Sequence, residues 1–208
     1  MTSSPIGTQR CKWPGDDPLM VEYHDREWGT PTHDDLEHFE YIVLDSFQAG
    51  LSWRTILNKR ENFRAAFAGF DPERIARFGT RDVNRLLADA GIVRHRQKIE
   101  ATIGNARAFL DLAQAEGGFD RWIWQFTDGV TIPNAWSSVS RVPARTSESD
   151  AMSTALRKRG FRFVGSTICY AYMQAAGMVN DHVITCFRHA ELDGLAAQAA
   201  RSQAVRSK

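Results

Sequence analysis

This 208-residue chain is poor in cysteine and has no long apolar run. Its three cysteines, Cys11, Cys169 and Cys186, are too few and too widely spaced for a disulfide framework. No apolar stretch approaches the roughly 18 residues that a membrane span needs, and residues 1–10 lack the apolar core of a signal peptide. We therefore expect a cytoplasmic protein with no membrane partner.

The chain also has little net charge, no internal repeat and no low-complexity tract before its alanine-rich end. With 26 basic and 25 acidic residues, the formal charge is +1 at pH 7, which neither favours nor excludes a nucleic-acid partner. A hydrophobic content of 43% excludes wholesale disorder. We expect a single helical domain over residues 11–189, with a disordered N-terminal tail (1–10) and a flexible C-terminal tail (190–208).

Apolar residues recur at helical spacing through most of the chain, and strand-like alternation is absent. The region 127–144, rich in Thr, Ser and Pro, is predicted to be a long loop. We predict an all-α fold of eight to ten helices. Their predicted starts are Asp17-Pro18, Thr32 (with Asp35), Ser52, Asp71-Pro72, Thr80, His95, Ser147 (with Asp150) and Ser166.

Four possible metal ligands lie near the two ends of the chain. Cys11 and His24 are near the N-terminus, and His182 and Cys186 are spaced i, i+4, as on one face of a helix. Two thiolates and two imidazoles are the ligands of a tetrahedral structural Zn²⁺ site without an open position. From spacing alone, buried thiols and core histidines remain an equal alternative.

Several aromatic residues lie near predicted helix ends. Trp13, Tyr23, Trp28 and Trp53 fit either a stacking pocket for a flat ring or ordinary core packing. Asp45 stands in the apolar run FEYIVLDSFQAGLSW. A carboxylate in such a run must be paired, solvent-facing at the edge of its helix, or functional.

Two basic segments precede predicted helices. In LRKRGFRFVGSTIC, two glycines fit a hairpin whose backbone N–H groups face a phosphate, and a second basic segment follows Gly91. Solvated helix faces are the alternative for each segment. The predicted DNA-binding residues of the hairpin are Gly160, Phe161, Arg162, Gly165 and Ser166, and the second segment contains Arg94, His95, Arg96 and Lys98.

The segments DPLMVEYHDREWGTP, FQAGLSWRTILNKRENFRAAFAGFDPERIA, AGIVRHRQKIEATIGNARAF and KRGFRFVGSTICYAYMQAAGMVNDHV closely resemble the 3-methyladenine DNA glycosylase I family of bacteria. The resemblance covers about residues 10–187. It implies a helix-hairpin-helix glycosylase fold, with two helical lobes around a base-binding cleft. It also implies a monomeric, nucleoid-associated repair enzyme that releases 3-methyladenine from alkylated double-stranded DNA without an organic cofactor.

The resemblance further implies roles for individual residues. Cys11, His24, His182 and Cys186 would hold a structural zinc that joins the two ends of the chain. Trp13, Tyr23, Trp28 and Trp53 would form the base pocket, and residues 160–165 the hairpin. Elsewhere in the superfamily a catalytic Asp follows the hairpin helix. Here its usual position, within 178–182, is not acidic, although a shift of one residue would place Asp181 there.

Asp45 is the predicted catalytic residue, and it departs from the family pattern. The family commonly has Glu at this position, and the shorter Asp would end about 1.5 Å further from the base. We expect an ionised Asp45 that accepts a hydrogen bond from the exocyclic amine of the base. The departure leaves two alternatives open: a glycosylase with altered lesion specificity, which could include 3-methylguanine, or a non-enzymatic module that binds DNA at damaged bases.

Overall fold

A computed structural model of the chain describes residues 9–195, and helices make up most of that part. The predicted predominance of helices is confirmed. The helices are α1 (Pro18–Arg26), α2 (Asp35–Gln48), α3 (Trp53–Leu57), α4 (Arg60–Ala66), α5 (Pro72–Ile75), α6 (Thr80–Ala88), α7 (Arg96–Glu116), α8 (Phe119–Ile123), α9 (Ser147–Lys158) and α10 (Ser166–Ala175). Residues 187–195 are also helical up to the end of the described part.

Local capping signals predict several helix starts correctly. The Asp17 carboxylate accepts hydrogen bonds from the backbone N–H groups of Leu19 and Met20, and Pro18 is the first residue of α1. Ser52 caps α3 and Asp71 caps α5 in the same manner. These side chains satisfy backbone donors at the start of a helix, which is why the sequence alone reveals them.

Three predicted helix features are wrong in detail. Asp34 caps α2 instead of Thr32, whose hydroxyl donates to the Glu37 carboxylate. Thr146 caps α9, with Ser149 completing the capping box in place of the predicted Ser147 and Asp150. The helix that begins at Ser52, which the helical spacing of its apolar residues predicts to continue to Phe67, is divided into α3 and α4. In each cap, a neighbouring oxygen has better access to the free N–H groups.

The predicted loop at 127–144 contains short regular elements. Strand β1 (Ile132–Pro133) pairs in parallel with β2 (Val179–Asn180), with Ile132 opposite Val179. A 3₁₀ turn spans Val139–Arg141. The β pairing joins this loop to the segment that follows α10.

Helix α8 has no counterpart in the sequence prediction because its cap is distant in the chain. The Asp35 carboxylate on α2 accepts hydrogen bonds from the N–H groups of Phe119 and Asp120. Helix α2 lies at the centre of the fold and contacts α3, α7, α8 and α10. Its residues 38–47 are all buried. No helix among residues 9–195 combines the length and the apolarity needed to cross a bilayer.

The described chain reaches into both predicted tails. Arg10 makes a bidentate ion pair with Asp25. At the other end, Leu192 is buried within the helix that begins at residue 187. Regular structure thus extends at least six residues past the boundary predicted at 189, while residues 1–8 and 196–208 lie outside the described part.

Candidate functional site

A cavity of about 230 Å³ lies between α1, α2, α10 and the loop before α9. It brings together all five residues predicted to form a pocket, namely Trp13, Tyr23, Trp28, Asp45 and Trp53. The sequence analysis assigned no pocket role to the other lining residues, which are Gln48, Val139, Val142, Ala171, Gln174 and Asp181.

The aromatic residues of the cavity come from the turn before α1 (Trp13), from α1 itself (Tyr23), from the turn after it (Trp28) and from the start of α3 (Trp53). The ring centroids of Trp13 and Trp28 are 5.1 Å apart in an edge-to-face arrangement, and those of Tyr23 and Trp53 are also 5.1 Å apart. These contacts hold the rings against one another around the cavity. The resulting walls are flat and mostly apolar, as required for stacking on an aromatic ligand.

Asp45 is the unusual residue of this cavity. Its side chain is on α2 and is 2% exposed, and Oδ2 has no hydrogen-bond partner among residues 9–195. The indole nitrogens of Trp13 and Trp53 are likewise buried and unpartnered within that part of the chain. Unsatisfied buried polar atoms are rare and destabilising, so their concentration in one cavity indicates a site that binds a polar ligand.

Burial alone raises the pKa of Asp45 well above its usual range. Desolvation favours the neutral acid, whereas a positive charge placed next to Asp45 favours the carboxylate. The cavity is therefore suited to a cationic or strongly hydrogen-bonding ring.

Asp181 is a second buried carboxylate in the cavity wall. Unlike Asp45, it has hydrogen-bond donors next to both of its oxygens. Asn134 and Trp136 donate to its Oδ1 at 2.8 and 2.7 Å, while Tyr170 and Gln174 donate to Oδ2 at 2.8 and 2.7 Å. Asp181 thereby connects the loop before α9 to α10. Its acceptor positions are occupied by protein donors, whereas Asp45 Oδ2 is left for a ligand.

The predicted hairpin is the connection between α9 and α10, which we call the glycine turn (residues 159–165). Gly160 has a φ of +91°, and Arg162 is exposed. The Phe161 side chain is only 3% exposed, so any contact of this residue with DNA would involve its backbone. Gly165 is the N-cap of α10 and Ser166 its first residue, and no side chain caps the free backbone N–H groups at this helix start.

Only part of the second basic segment lies at the surface, where its sequence predicts a patch. Arg94, His95 and Arg96 are exposed, but Lys98 is 6% exposed. Its ammonium group donates to backbone carbonyl oxygens at the end of α2. The prediction of a DNA-facing Lys98 is wrong because the end of α2 provides acceptors for its charge in the interior.

The four predicted metal ligands also lie together, and all are buried. His24 Nε2 is 3.2 Å from His182 Nδ1, and Cys186 Sγ is 3.5 Å from each of these nitrogens. Cys11 Sγ is 3.7 Å from His182 Nδ1. A tetrahedral zinc would place two ring nitrogens about 3.3 Å apart and a nitrogen and a sulfur about 3.6 Å apart. The residues therefore fit a zinc ion.

Hydrogen bonds outside this cluster orient both imidazoles. His24 Nδ1 is 2.8 Å from the Asp25 carboxylate, and His182 Nε2 is 2.9 Å from the backbone oxygen of Trp28. Each outer nitrogen therefore carries the proton, and each inner nitrogen presents a lone pair to the cluster. Such outer partners are typical of metal-binding histidines.

The spacing of His182 and Cys186 predicts that they lie on one face of a helix, but in the structure neither residue is in a helix. Residues 181–186 form turns, and the last described helix begins at residue 187. The Cys186 N–H donates to the Val183 carbonyl within these turns. The neighbouring Cys11 thiol favours the thiolate form of Cys186 and so lowers the pKa of Cys186.

Comparison with known proteins identifies the class to which this fold and cavity belong. The family model of methyladenine glycosylases matches residues 13–189, and the chain belongs to that family. It is 52% identical over 178 residues to DNA-3-methyladenine glycosylase 1 of Escherichia coli (strain K12), covering 86% of this chain and 95% of the relative.

Solved structures agree with this assignment. A crystal structure of 3-methyladenine DNA glycosylase I matches with a TM-score of 0.84 and 52% identity, covering 86% of this chain and 98% of the other. A tyrosine-to-phenylalanine variant of 3-methyladenine DNA glycosylase I, in complex with 3-methyladenine, matches with a TM-score of 0.83 and 32% identity. That match covers 86% of this chain and 96% of the other.

Proposed function

We propose that this protein is a DNA-3-methyladenine glycosylase that hydrolyses the bond between 3-methyladenine and deoxyribose in alkylated double-stranded DNA. The observation that carries the proposal is the buried, unpartnered Asp45 carboxyl group in a cavity walled by three tryptophans and a tyrosine. A relative with the same fold binds 3-methyladenine, which supports this assignment.

The chemistry requires recognition more than acid catalysis. An adenine methylated at N3 is positively charged in DNA, so its bond to C1′ is already weak. When that bond breaks, the electron pair goes to the base, which leaves neutral, and water adds to C1′ and loses a proton to solvent. The cationic base favours ionisation of Asp45, and the carboxylate can accept a hydrogen bond from the exocyclic amine.

Stacking helps to bring the damaged base into the cavity. Extruding a nucleotide from a duplex costs a few kcal/mol of unstacking energy. Stacking on an aromatic side chain returns about 1–3 kcal/mol per base. Trp13, Tyr23, Trp28 and Trp53 supply such surfaces, and normal adenine lacks the positive charge that would ionise Asp45.

The helix-hairpin-helix arrangement of this family is proposed for α9, the glycine turn and α10. The turn presents Gly160 and the start of α10, at Gly165 and Ser166, to a DNA phosphate, with Arg162 exposed beside them. We propose that two helical lobes flank the cavity and that the protein acts as a monomer at the nucleoid.

We propose that Cys11, His24, His182 and Cys186 hold a structural Zn²⁺. Four protein ligands leave no coordination position for water, so the ion would supply a cross-link between the chain ends and take no part in hydrolysis. The chain itself prepares the cluster by orienting both imidazoles and by placing Arg10 on the carboxylate that holds His24.

The outer hydrogen bond of His24 is expected to strengthen zinc binding. Asp25→Asn keeps the shape of the side chain but removes its charge. We expect zinc affinity, measured by competition with a chromogenic chelator, to fall about 10- to 100-fold, as is usual for such outer partners. Asp16→Asn, at an exposed position in the same segment, serves as the control. Equal zinc affinity in Asp25→Asn and the native protein would contradict this role.

Asp45 itself favours a second candidate, a glycosylase with a different range of lesions. Its side chain is one methylene shorter than the glutamate of the family pattern. A panel of duplexes with 3-methyladenine, 3-methylguanine or 7-methylguanine separates the two candidates by the relative rates of release. A protein that binds all of these duplexes and releases no base would instead be a damaged-base binding module.

The direct test of the proposed function is detection of the product. Methylated duplex DNA is incubated with the protein, and the released bases are separated by chromatography. We expect 3-methyladenine as free base, together with DNA that breaks only after alkali treatment of the abasic sites. Release of no modified base would refute the proposal.

A further inference from the structure

The start of α7 carries a buried cation that the proposed reaction does not use. Lys98 donates from Nζ to the backbone oxygens of Phe47 and Ala49, at 2.8 and 2.6 Å. No carboxylate pairs with it among residues 9–195. Burial lowers the pKa of Lys98 and thus opposes its charge. A buried lysine does not contribute to solubility, so we looked for a role in its two hydrogen bonds.

The two carbonyl groups belong to the end of α2, next to the cavity. Gln48, the last residue of α2, and Trp53, the first residue of α3, both line the cavity. Between them lies a turn, residues 49–52, that we call the mouth turn. Gly50 has a φ of +82°, and Leu51 is a large apolar side chain that is 42% exposed. Lys98 therefore fixes the mouth turn by holding the carbonyl end of α2.

A second buried polar residue of α7 holds the glycine turn. Asn105 Nδ2 donates to the Arg162 carbonyl at 2.9 Å, and its Oδ1 accepts from the Arg162 N–H at 2.8 Å. Ser46 of α2 also donates to the backbone of the glycine turn, at Phe163. Lys98 and Asn105 are two turns apart on one face of α7, about 10 Å along its axis.

We propose that Lys98 and Asn105 are positioning residues that fix the position of the mouth turn relative to the glycine turn. A duplex bound at the glycine turn then presents its extruded nucleotide to the cavity. The proposal rests on the proposed glycosylase function. Neither residue lines the cavity, so both act on the reaction through backbone geometry. A displacement of about 1 Å in such geometry can lower a rate about 100-fold.

The test separates duplex processing from base recognition. Lys98→Met and Asn105→Ala are compared with the native protein in single-turnover release from methylated duplex DNA. Affinity for free 3-methyladenine is measured by quenching of tryptophan fluorescence. We expect release to slow about 10- to 100-fold in both variants, whereas affinity for the free base stays at the native value.

Two exposed positions provide matched controls. Arg81→Met removes an exposed cation of α6, outside both basic segments, and Asn84→Ala removes an exposed asparagine of the same helix. We expect native rates of release from both. Asn105→Ser, which keeps a polar group but removes the amide that bridges the Arg162 carbonyl and N–H, provides a milder variant if the alanine variant does not fold. We expect it to slow release in the same direction.

Native release rates in Lys98→Met and Asn105→Ala, or in the folded Asn105→Ser, would overturn the proposal. An equal loss of release and of free-base affinity would also overturn it, because the residues would then support only the cavity. A native protein that releases no 3-methyladenine would instead refute the proposed function, so the two failures are distinguishable.

Discussion

Asp45→Asn is expected to slow release of 3-methyladenine from methylated DNA by about 100- to 1000-fold, because removing a single preorganised electrostatic partner of a reacting group has an effect of this size. Asparagine has nearly the same shape as aspartate but cannot become an anion. Its amide cannot compensate the charge of the alkylated base, and one of its polar groups is a donor that faces the exocyclic amine. Single-turnover kinetics with saturating protein measure the change directly.

The same substitution is expected to preserve or increase the thermal stability of the protein at neutral pH. Since burial raises the pKa of Asp45 above its usual value of 3.8, its contribution to stability is greatest below pH 3.8 and is lost as the pH rises through the raised pKa. Asparagine does not ionise, so the stability advantage of the variant should grow as the pH increases over that interval. Melting temperatures of both proteins at several pH values test this dependence.

Asp45→Glu is the matched control because it keeps the carboxylate. It should retain most of the release activity, and it should show no stability advantage that grows with pH. If Asp45→Asn released 3-methyladenine at the native rate, Asp45 would have no part in the reaction. A large loss of stability in Asp45→Asn would mean that its carboxyl group has structural partners.

Removal of the metal is expected to have the largest effect on stability. The proposed site joins Cys11 to His182, which are 171 residues apart in sequence. Cross-linking a loop of that length removes on the order of 5 kcal/mol of unfolded-state entropy. At about 2–4 °C per kcal/mol for a chain of this size, we expect Cys186→Ser to lower the melting temperature by about 10–20 °C.

Cys169→Ala is the control for the metal prediction, since Cys169 is buried in the core away from the cluster. It should keep one zinc per chain by elemental analysis, whereas Cys186→Ser should lose it. The fraction of Cys186→Ser that remains folded at low temperature should still release 3-methyladenine. Native protein that is folded and contains no zinc would contradict the proposed site.

The parts of the fold that could be predicted depend on interactions between near neighbours in the chain. Asp17 caps α1 through N–H groups two and three residues away, and the same holds for Ser52 and Asp71. Where two polar residues compete, as Thr32 and Asp34 do before α2, local pattern cannot select between them. Helix α8 was missed because its cap, Asp35, is more than 80 residues distant.

The sequence predicts which residues form the site more completely than it predicts their burial and hydrogen-bond partners. The aromatic residues and Asp45 were selected by composition and by family resemblance, and the cavity contains all of them. The state of each carboxyl group depends on tertiary partners. Four donors surround Asp181, whereas Asp45 Oδ2 has none among residues 9–195. The sequence predicts a surface cation at Lys98 because the carbonyl groups that hold it belong to another helix.

A crystal structure of this protein with 3-methyladenine would test the central claim most directly. The account predicts that the base lies in the cavity among the tryptophans, with an oxygen of Asp45 about 2.7–3.0 Å from its exocyclic amine. A base bound outside the cavity, or one bound inside it without contact to Asp45, would contradict the account.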